Sequence, residues 1–159
     1  MDGHADVRAL LADGRGLAAA VRGLAAPWAD AGITHVGGLE ARGFAVGAPA
    51  AVALAAGFVP VREGLPPGRT LATTSAEDYR GVRRELHVQA VLGPGDRVLL
   101  VDDRAERGSQ AEAAAELVRQ QGAELLGLAL VVDELPDAVR ARLGRVTSLV
   151  ARAELGDPG

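Results

Sequence analysis

Two hydrophobic periods alternate along this chain. Between residues 13 and 31, Leu17, Ala20, Val21, Leu24, Ala25 and Trp28 recur at helical spacing, which predicts an amphipathic helix laid on a sheet and bent or ended by Pro27. Residues 33–36 then predict a short strand, residues 44–56 an Ala-rich buried helix with Gly47 and Pro49 early in it, and residues 58–61 a second strand. REGLPPGRT, residues 62–70, holds too many breakers for regular structure and predicts an exposed loop, a candidate lid. Residues 85–91 alternate polar and apolar as a half-exposed or edge strand does, and residues 93–96 predict a turn. Val98, Leu99, Leu100 and Val101 are too few for a helix and too apolar for a surface loop, so they predict a buried parallel strand. Ala111, Ala114, Ala115 and Val118 predict a helix starting near Ser109 or Gln110 and stopped by Gly122. A buried strand over 125–132, a short helix over 137–143, a last strand over 146–150 and a frayed tail complete the pattern.

Strands alternating with helices predict an α/β fold: one domain, 1–159, with a mainly parallel central sheet flanked by helices. At 159 residues, 48% of them hydrophobic, the chain suits a single core. Its net charge of -4 comes from 21 acids and 17 bases that are interspersed, which argues against a nucleic-acid face and against a polybasic membrane anchor. No run approaches the ~18 apolar residues of a membrane span, and the start carries no secretion signal, so a cytoplasmic location is expected. Cysteine is absent, and every base is Arg. Thiolate chemistry, Schiff bases and a P-loop Lys are therefore excluded.

Candidate chemistry concentrates where the apolar strand stops. Asp102 and Asp103 follow Val101 directly, at the carboxyl end of a strand, where open α/β sheets bind their ligands. The carboxylates suit hydroxyls or a hydrated metal; the helix start behind Gly108 and Ser109 suits an anion such as a phosphate. A phospho-receiver domain also carries paired acids, but near its N-terminus and with a late Lys, and this chain has neither. GLEARGF, residues 38–44, also lies between a strand and a helix, so its backbone and Arg42 would open on the same sheet edge. His35 and His87 stand apart without metal-ligand spacing and are read as structural.

GLEARGF, FVPVRE (58–63), SAEDYRGVRRELHV (75–88) and PGDRVLLVDD (94–103), in this order and spacing, resemble the type I phosphoribosyltransferases, and the adenine phosphoribosyltransferases most closely. The likeness runs from about Asp6 to the end. It implies a homodimer that transfers a phosphoribosyl group from phosphoribosyl pyrophosphate (PRPP) to a purine base, releasing pyrophosphate, with Mg²⁺ on the diphosphate. By the same resemblance Glu40, Ala41, Arg42 and Gly43 wrap the diphosphate, in a loop that often holds a non-proline cis peptide. Arg62 reaches the partner subunit's diphosphate. Asp102 and Asp103 hold the ribose diol and, through water, the metal, while Gly108, Ser109 and Gln110 cradle the 5′-phosphate. Asp78 and Tyr79 match a Glu-Tyr pair whose acid handles the purine proton.

Several positions depart from the family pattern. After the acids, Arg104, Ala105, Glu106, Arg107, Gly108, Ser109 and Gln110 stand where two apolar residues and Ala-Thr-Gly-Gly-Thr are usual. Both threonine hydroxyls are thus replaced; Arg107 can supply charge, and Glu106 must turn outward or pair with an Arg. Arg104 takes the place of an apolar residue that packs on the base, where a guanidinium can stack instead. Glu63 replaces a lid Lys, Arg80 replaces a Gly, and the aromatic hood over the purine has no match before Asp6. A nucleotide-salvage enzyme is the first reading. The second is a catalytically weak or inactive PRPP- or nucleotide-binding homologue that serves as a sensor or partner subunit.

Overall fold

A computed structural model describes residues 6–64, 70–77, 83–151 and 154. In chain order it places α1 (Val7–Ala12), α2 (Gly14–Ala25), a 3₁₀ turn (Ala26–Trp28), β1 (His35–Leu39), α3 (Arg42–Ala53) and β2 (Gly57–Val61). Then follow β3 (Thr70–Glu77), β4 (Arg83–Gln89), β5 (Arg97–Ala105), α4 (Ser109–Gln120), β6 (Glu124–Asp133), α5 (Asp137–Arg140) and β7 (Arg145–Ala151). Five strands form one sheet in the order β2-β1-β5-β6-β7, every neighbouring pair parallel, while β3 and β4 form a separate antiparallel hairpin. The α/β expectation holds.

The sheet is buried on both faces, as an all-parallel sheet must be. Val98, Leu99, Leu100 and Val101 are all fully buried, and alternate residues enter different cores. Val98 and Leu100 pack with Leu117, Leu128 and Leu130 beside α4, whereas Leu99 and Val101 pack with Trp28, Val46 and Val131 on the side of α2 and α3. Each such fully buried Leu or Val contributes roughly 1.5–3 kcal/mol.

Element bounds differ from the sequence expectation in ways with local causes. The helix expected to start at Asp13 does start there, because the Asp13 carboxylate accepts the Gly16 amide at 2.6 Å as an N-cap. A further turn precedes it, capped in the same way by Asp6. Pro27 ends the helix by opening the 3₁₀ turn, and Trp28 is buried with its indole N–H donated to Thr147 Oγ1 at 2.9 Å. α3 starts two residues earlier than expected and runs through Pro49. β3 was not anticipated: TLATTSAE lacks a clean apolar alternation, and its partner β4 supplies the pairing.

The largest correction concerns the strand expected to end at Val101. β5 continues through Asp102, Asp103, Arg104 and Ala105 because β6 is long enough to keep pairing, with Asp102 opposite Leu130 and Ala105 opposite Asp133. On the other side β1 last pairs at Gly38 opposite Val101. The acids therefore lie on a strand that is paired on one edge and open on the other. From β1 the chain winds outward to β2, and from β5 it winds the opposite way to β6 and β7. The gap between β1 and β5 is thus a topological switch point, the place where such sheets hold ligands.

Candidate active site

A cleft of about 590 Å³ opens at this switch point. Its lining comprises Glu40, Ala41, Arg42, Glu63, the run 102–111 and Leu130. Both loops nominated from the sequence therefore converge on one sheet edge.

Asp102 and Asp103 are adjacent on the strand and differ in surroundings. Asp103 is 6% exposed and faces Arg42, whose Nε stands 3.0 Å from its Oδ2. That approach is close enough for an ion pair but out of line for a hydrogen bond, so Oδ2 keeps a lone pair unused. Asp102 Oδ1 accepts the Asp103 amide at 2.8 Å. Burial pushes the Asp102 carboxyl well above the ordinary carboxylate range, and the neighbouring Asp103 pushes it further the same way.

The β1–α3 loop is brought against this pair by a glycine. A Cβ on Gly43 would lie 3.0 Å from Asp102 Oδ1 and 3.1 Å from the Val101 carbonyl, so a larger residue would push the start of α3 off the strand. Gly43 does not line the cleft; it lets Arg42 and Ala41 do so. The peptide between Glu40 and Ala41 is cis, and the Glu40 amide is anchored to the Val61 carbonyl at 3.0 Å.

Across the cleft, Gly108 caps α4 with a left-handed backbone, φ +77°, and supplies no side-chain cap. The amides of Gln110 and Ala111 have no partner within the helix, and the first bond of its own ladder runs from Glu112 to the Gly108 carbonyl. Arg107 is exposed at the rim. Arg104 is held by carboxylates: its Nη1 is 3.7 Å from Glu106 and its Nε 3.5 Å from Glu134 at the end of β6. Glu106 thus pairs with an Arg, one of the two outcomes its position required.

Arg62 behaves differently from the other nominated residues. Its backbone pairs with His87, and its guanidinium lies 5.6 Å from the centre of the Phe44 ring, away from the lining of its own chain's cleft. Asp78, Tyr79 and Arg80 lie outside the described residues. Ala105, Ala111 and Leu130 line the cleft without having been nominated. Only the strand extension to Ala105 could have pointed to the first; Leu130 reaches the site through its register with Asp102. Among the described residues no group of three or more His, Asp or Glu is arranged to hold a metal.

No protein-family model matches the chain. Individual relatives do. An adenine phosphoribosyltransferase of Bradyrhizobium sp. strain BTAi1 is 42% identical over 155 residues, which cover 97% of this chain and 86% of that protein. The chain belongs to the adenine phosphoribosyltransferase family. A second member, from Methylorubrum populi, is 44% identical over 140 residues, 86% of this chain and 77% of its own. Among solved structures, the adenine phosphoribosyltransferase of Rhodothermus marinus superposes with a TM-score of 0.81 at 34% identity, covering 92% of this chain and 85% of that one. The Giardia lamblia enzyme, solved with 9-deazaadenine, superposes with a TM-score of 0.82 at 29% identity and the same coverage.

The charge of the cleft opposes phosphates. Five carboxylates line it, Glu40, Glu63, Asp102, Asp103 and Glu106, against the guanidinium groups of Arg42, Arg104 and Arg107. Two of those three are already engaged, Arg42 by Asp103 and Arg104 by Glu106 and Glu134.

Proposed function

We propose that the cleft transfers a 5-phosphoribosyl group from PRPP to adenine or a closely related purine and releases pyrophosphate. The observation that carries this reading is the convergence of the 40–43 loop, the Asp102–Asp103 pair and the start of α4 on one sheet edge, in a chain 42% identical to a named adenine phosphoribosyltransferase. The start of α4 takes the 5′-phosphate, because amides without intrahelical partners and the helix dipole both favour an anion. The backbone and Arg42 of the 40–43 loop take the diphosphate. Asp102 and Asp103 accept hydrogen bonds from the ribose hydroxyls between these two ends and so fix the anomeric carbon. That fixing matters because the transition state carries oxocarbenium character and is open to attack by water unless the reacting centre is enclosed.

A magnesium ion fits the donor set in one respect: the available side-chain donors are hard carboxylate oxygens, and Asp103 Oδ2 is buried without a hydrogen bond. Two such residues do not make a closed cage. Asp102 and Asp103 would hold the ion through water, and the chemistry it would supply is neutralisation of charge on the departing diphosphate. By the resemblance of Asp78 and Tyr79 to the family's Glu-Tyr pair, Asp78 is assigned to receive the purine proton. Arg62, turned from its own cleft, is assigned to the partner subunit's diphosphate, which makes the working unit a cytoplasmic homodimer. No described helix is long and apolar enough to cross a membrane.

The test is calorimetric titration of PRPP with Mg²⁺ into the wild type and into a variant carrying both Asp102→Asn and Asp103→Asn. The expected result is micromolar affinity that falls at least a hundredfold in a folded variant. Equal affinity in the two proteins would place the ligand elsewhere.

A further inference from the structure

Glu63 lies two residues beyond β2, and Gln110 lies in the first turn of α4, on opposite walls of the cleft. They are joined across it: Gln110 Nε2 donates to Glu63 Oε1 at 3.0 Å. The Glu63 amide in turn donates to Glu40 Oε2 at 2.7 Å, which fixes where the Glu63 side chain starts, beside the Glu40 carboxylate. Neither wall is free to slip at these points. The residue before Glu63 is bonded through both its amide and its carbonyl to His87, and Gln110 is built into the helix.

We infer that the Glu63–Gln110 hydrogen bond is a clasp between the two phosphate-binding walls, which must open for either anion to bind, so that the first anion to bind prepares the site for the second. The inference rests on the proposed function, which puts the diphosphate beside Glu40 and the 5′-phosphate beside Gln110. An anion at the start of α4 needs the Gln110 amide side chain and the helix N-terminus, yet there it meets the Glu63 carboxylate held 3.0 Å from that same side chain. A diphosphate beside Glu40 meets the same carboxylate from the other side. Displacing Glu63 once removes the repulsion for both ligands, and two ligands that share one opening step must bind with positive coupling. Glu63 and Gln110 are in this sense positioning residues.

The experiment uses AMP and magnesium pyrophosphate as the two probes, each titrated alone and in the presence of the other at saturation. In the wild type, pyrophosphate should bind about tenfold more tightly when AMP is present, which is ~1.4 kcal/mol of coupling. Glu63→Ala should bring that ratio to nearly one while tightening each ligand alone, and Glu63→Gln, which keeps the acceptor oxygen, should retain part of it. A merely structural loss would weaken both ligands and leave the ratio unchanged. A wild-type ratio of one, or a ratio unaltered by Glu63→Ala, overturns the clasp while leaving the function standing. Failure of the wild type to bind either probe overturns the function and the clasp together.

Discussion

Replacing Gly108 with Ala should cost this protein several kcal/mol although it adds one methyl group. Two independent penalties meet there. The residue sits at φ +77°, where an L side chain costs ~1–2 kcal/mol. Its new Cβ would also lie 2.5 Å from Val139 Cγ1 and 2.7 Å from Leu135 Cδ2, against the ~3.5–4.0 Å of an ordinary carbon contact. Val139 and Leu135 are 8% and 5% exposed and belong to the core beneath α4, so neither can swing into solvent. Overpacking of this kind costs ~1–3 kcal/mol. The sum is roughly 2–5 kcal/mol, a large part of the ~5–15 kcal/mol typical of a whole domain. Urea unfolding followed by the fluorescence of Trp28, the single Trp and a buried one, measures it directly. Adding Val139→Ala should recover part of the loss, since it removes the closest clash and leaves the backbone penalty. A loss below ~1 kcal/mol for Gly108→Ala, or no recovery in the double variant, would mean that the backbone at this position and the contact with Val139 are not under the constraint stated.

Asp102→Asn should stabilise the fold at pH 7 while weakening PRPP binding, because burial holds this carboxyl above its ordinary value of 3.8. The sign follows from proton counting: the folded state binds the proton more tightly, so wild-type stability falls as pH rises from about 3.8 through the folded value. Unfolding midpoints across that range should slope downward in the wild type and flatten in the variant. Arg42→Ala should destabilise the protein by ~1–3 kcal/mol in urea titration, since it leaves Asp103, 6% exposed, without its facing charge; an unchanged midpoint would mean that solvent already screens the pair. Arg62→Ala should abolish PRPP binding while costing the single chain no more than the ~0.5–1 kcal/mol of its contact with the Phe44 ring, and full affinity in a stable monomer would remove the partner subunit from the site.

Much of the fold was legible because its causes are local. Val98 to Val101 could only be a buried strand, Ala111 to Val118 carry a helical stripe, and Gly122, at φ +80°, stops that helix as its sequence position implies. What escaped was set by partners distant in sequence. β5 runs on to Ala105 because β6 pairs with it, and a polar run such as Asp102, Asp103 and Arg104 gives no apolar signal of strand. β3 exists through β4 and its packing beside α4, and Pro49 is carried inside α3 by the burial of Val46 and Ala50 around it. The candidate site was legible as two loops and an acidic pair, each recognisable from its own residues. The Glu63–Gln110 bond, the use of Glu134 to hold Arg104 and the contrast between Asp102 and Asp103 all depend on contacts between segments. No single stretch of sequence contains them.

The most direct measurement is chromatographic detection of AMP after the protein is mixed with PRPP, Mg²⁺ and adenine, with pyrophosphate counted in the same sample. AMP and pyrophosphate are expected in equal amounts, both lost in the variant carrying Asp102→Asn and Asp103→Asn. PRPP bound at the cleft, with neither AMP formed from adenine nor the corresponding nucleoside monophosphate formed from a related purine, would contradict the proposed transfer.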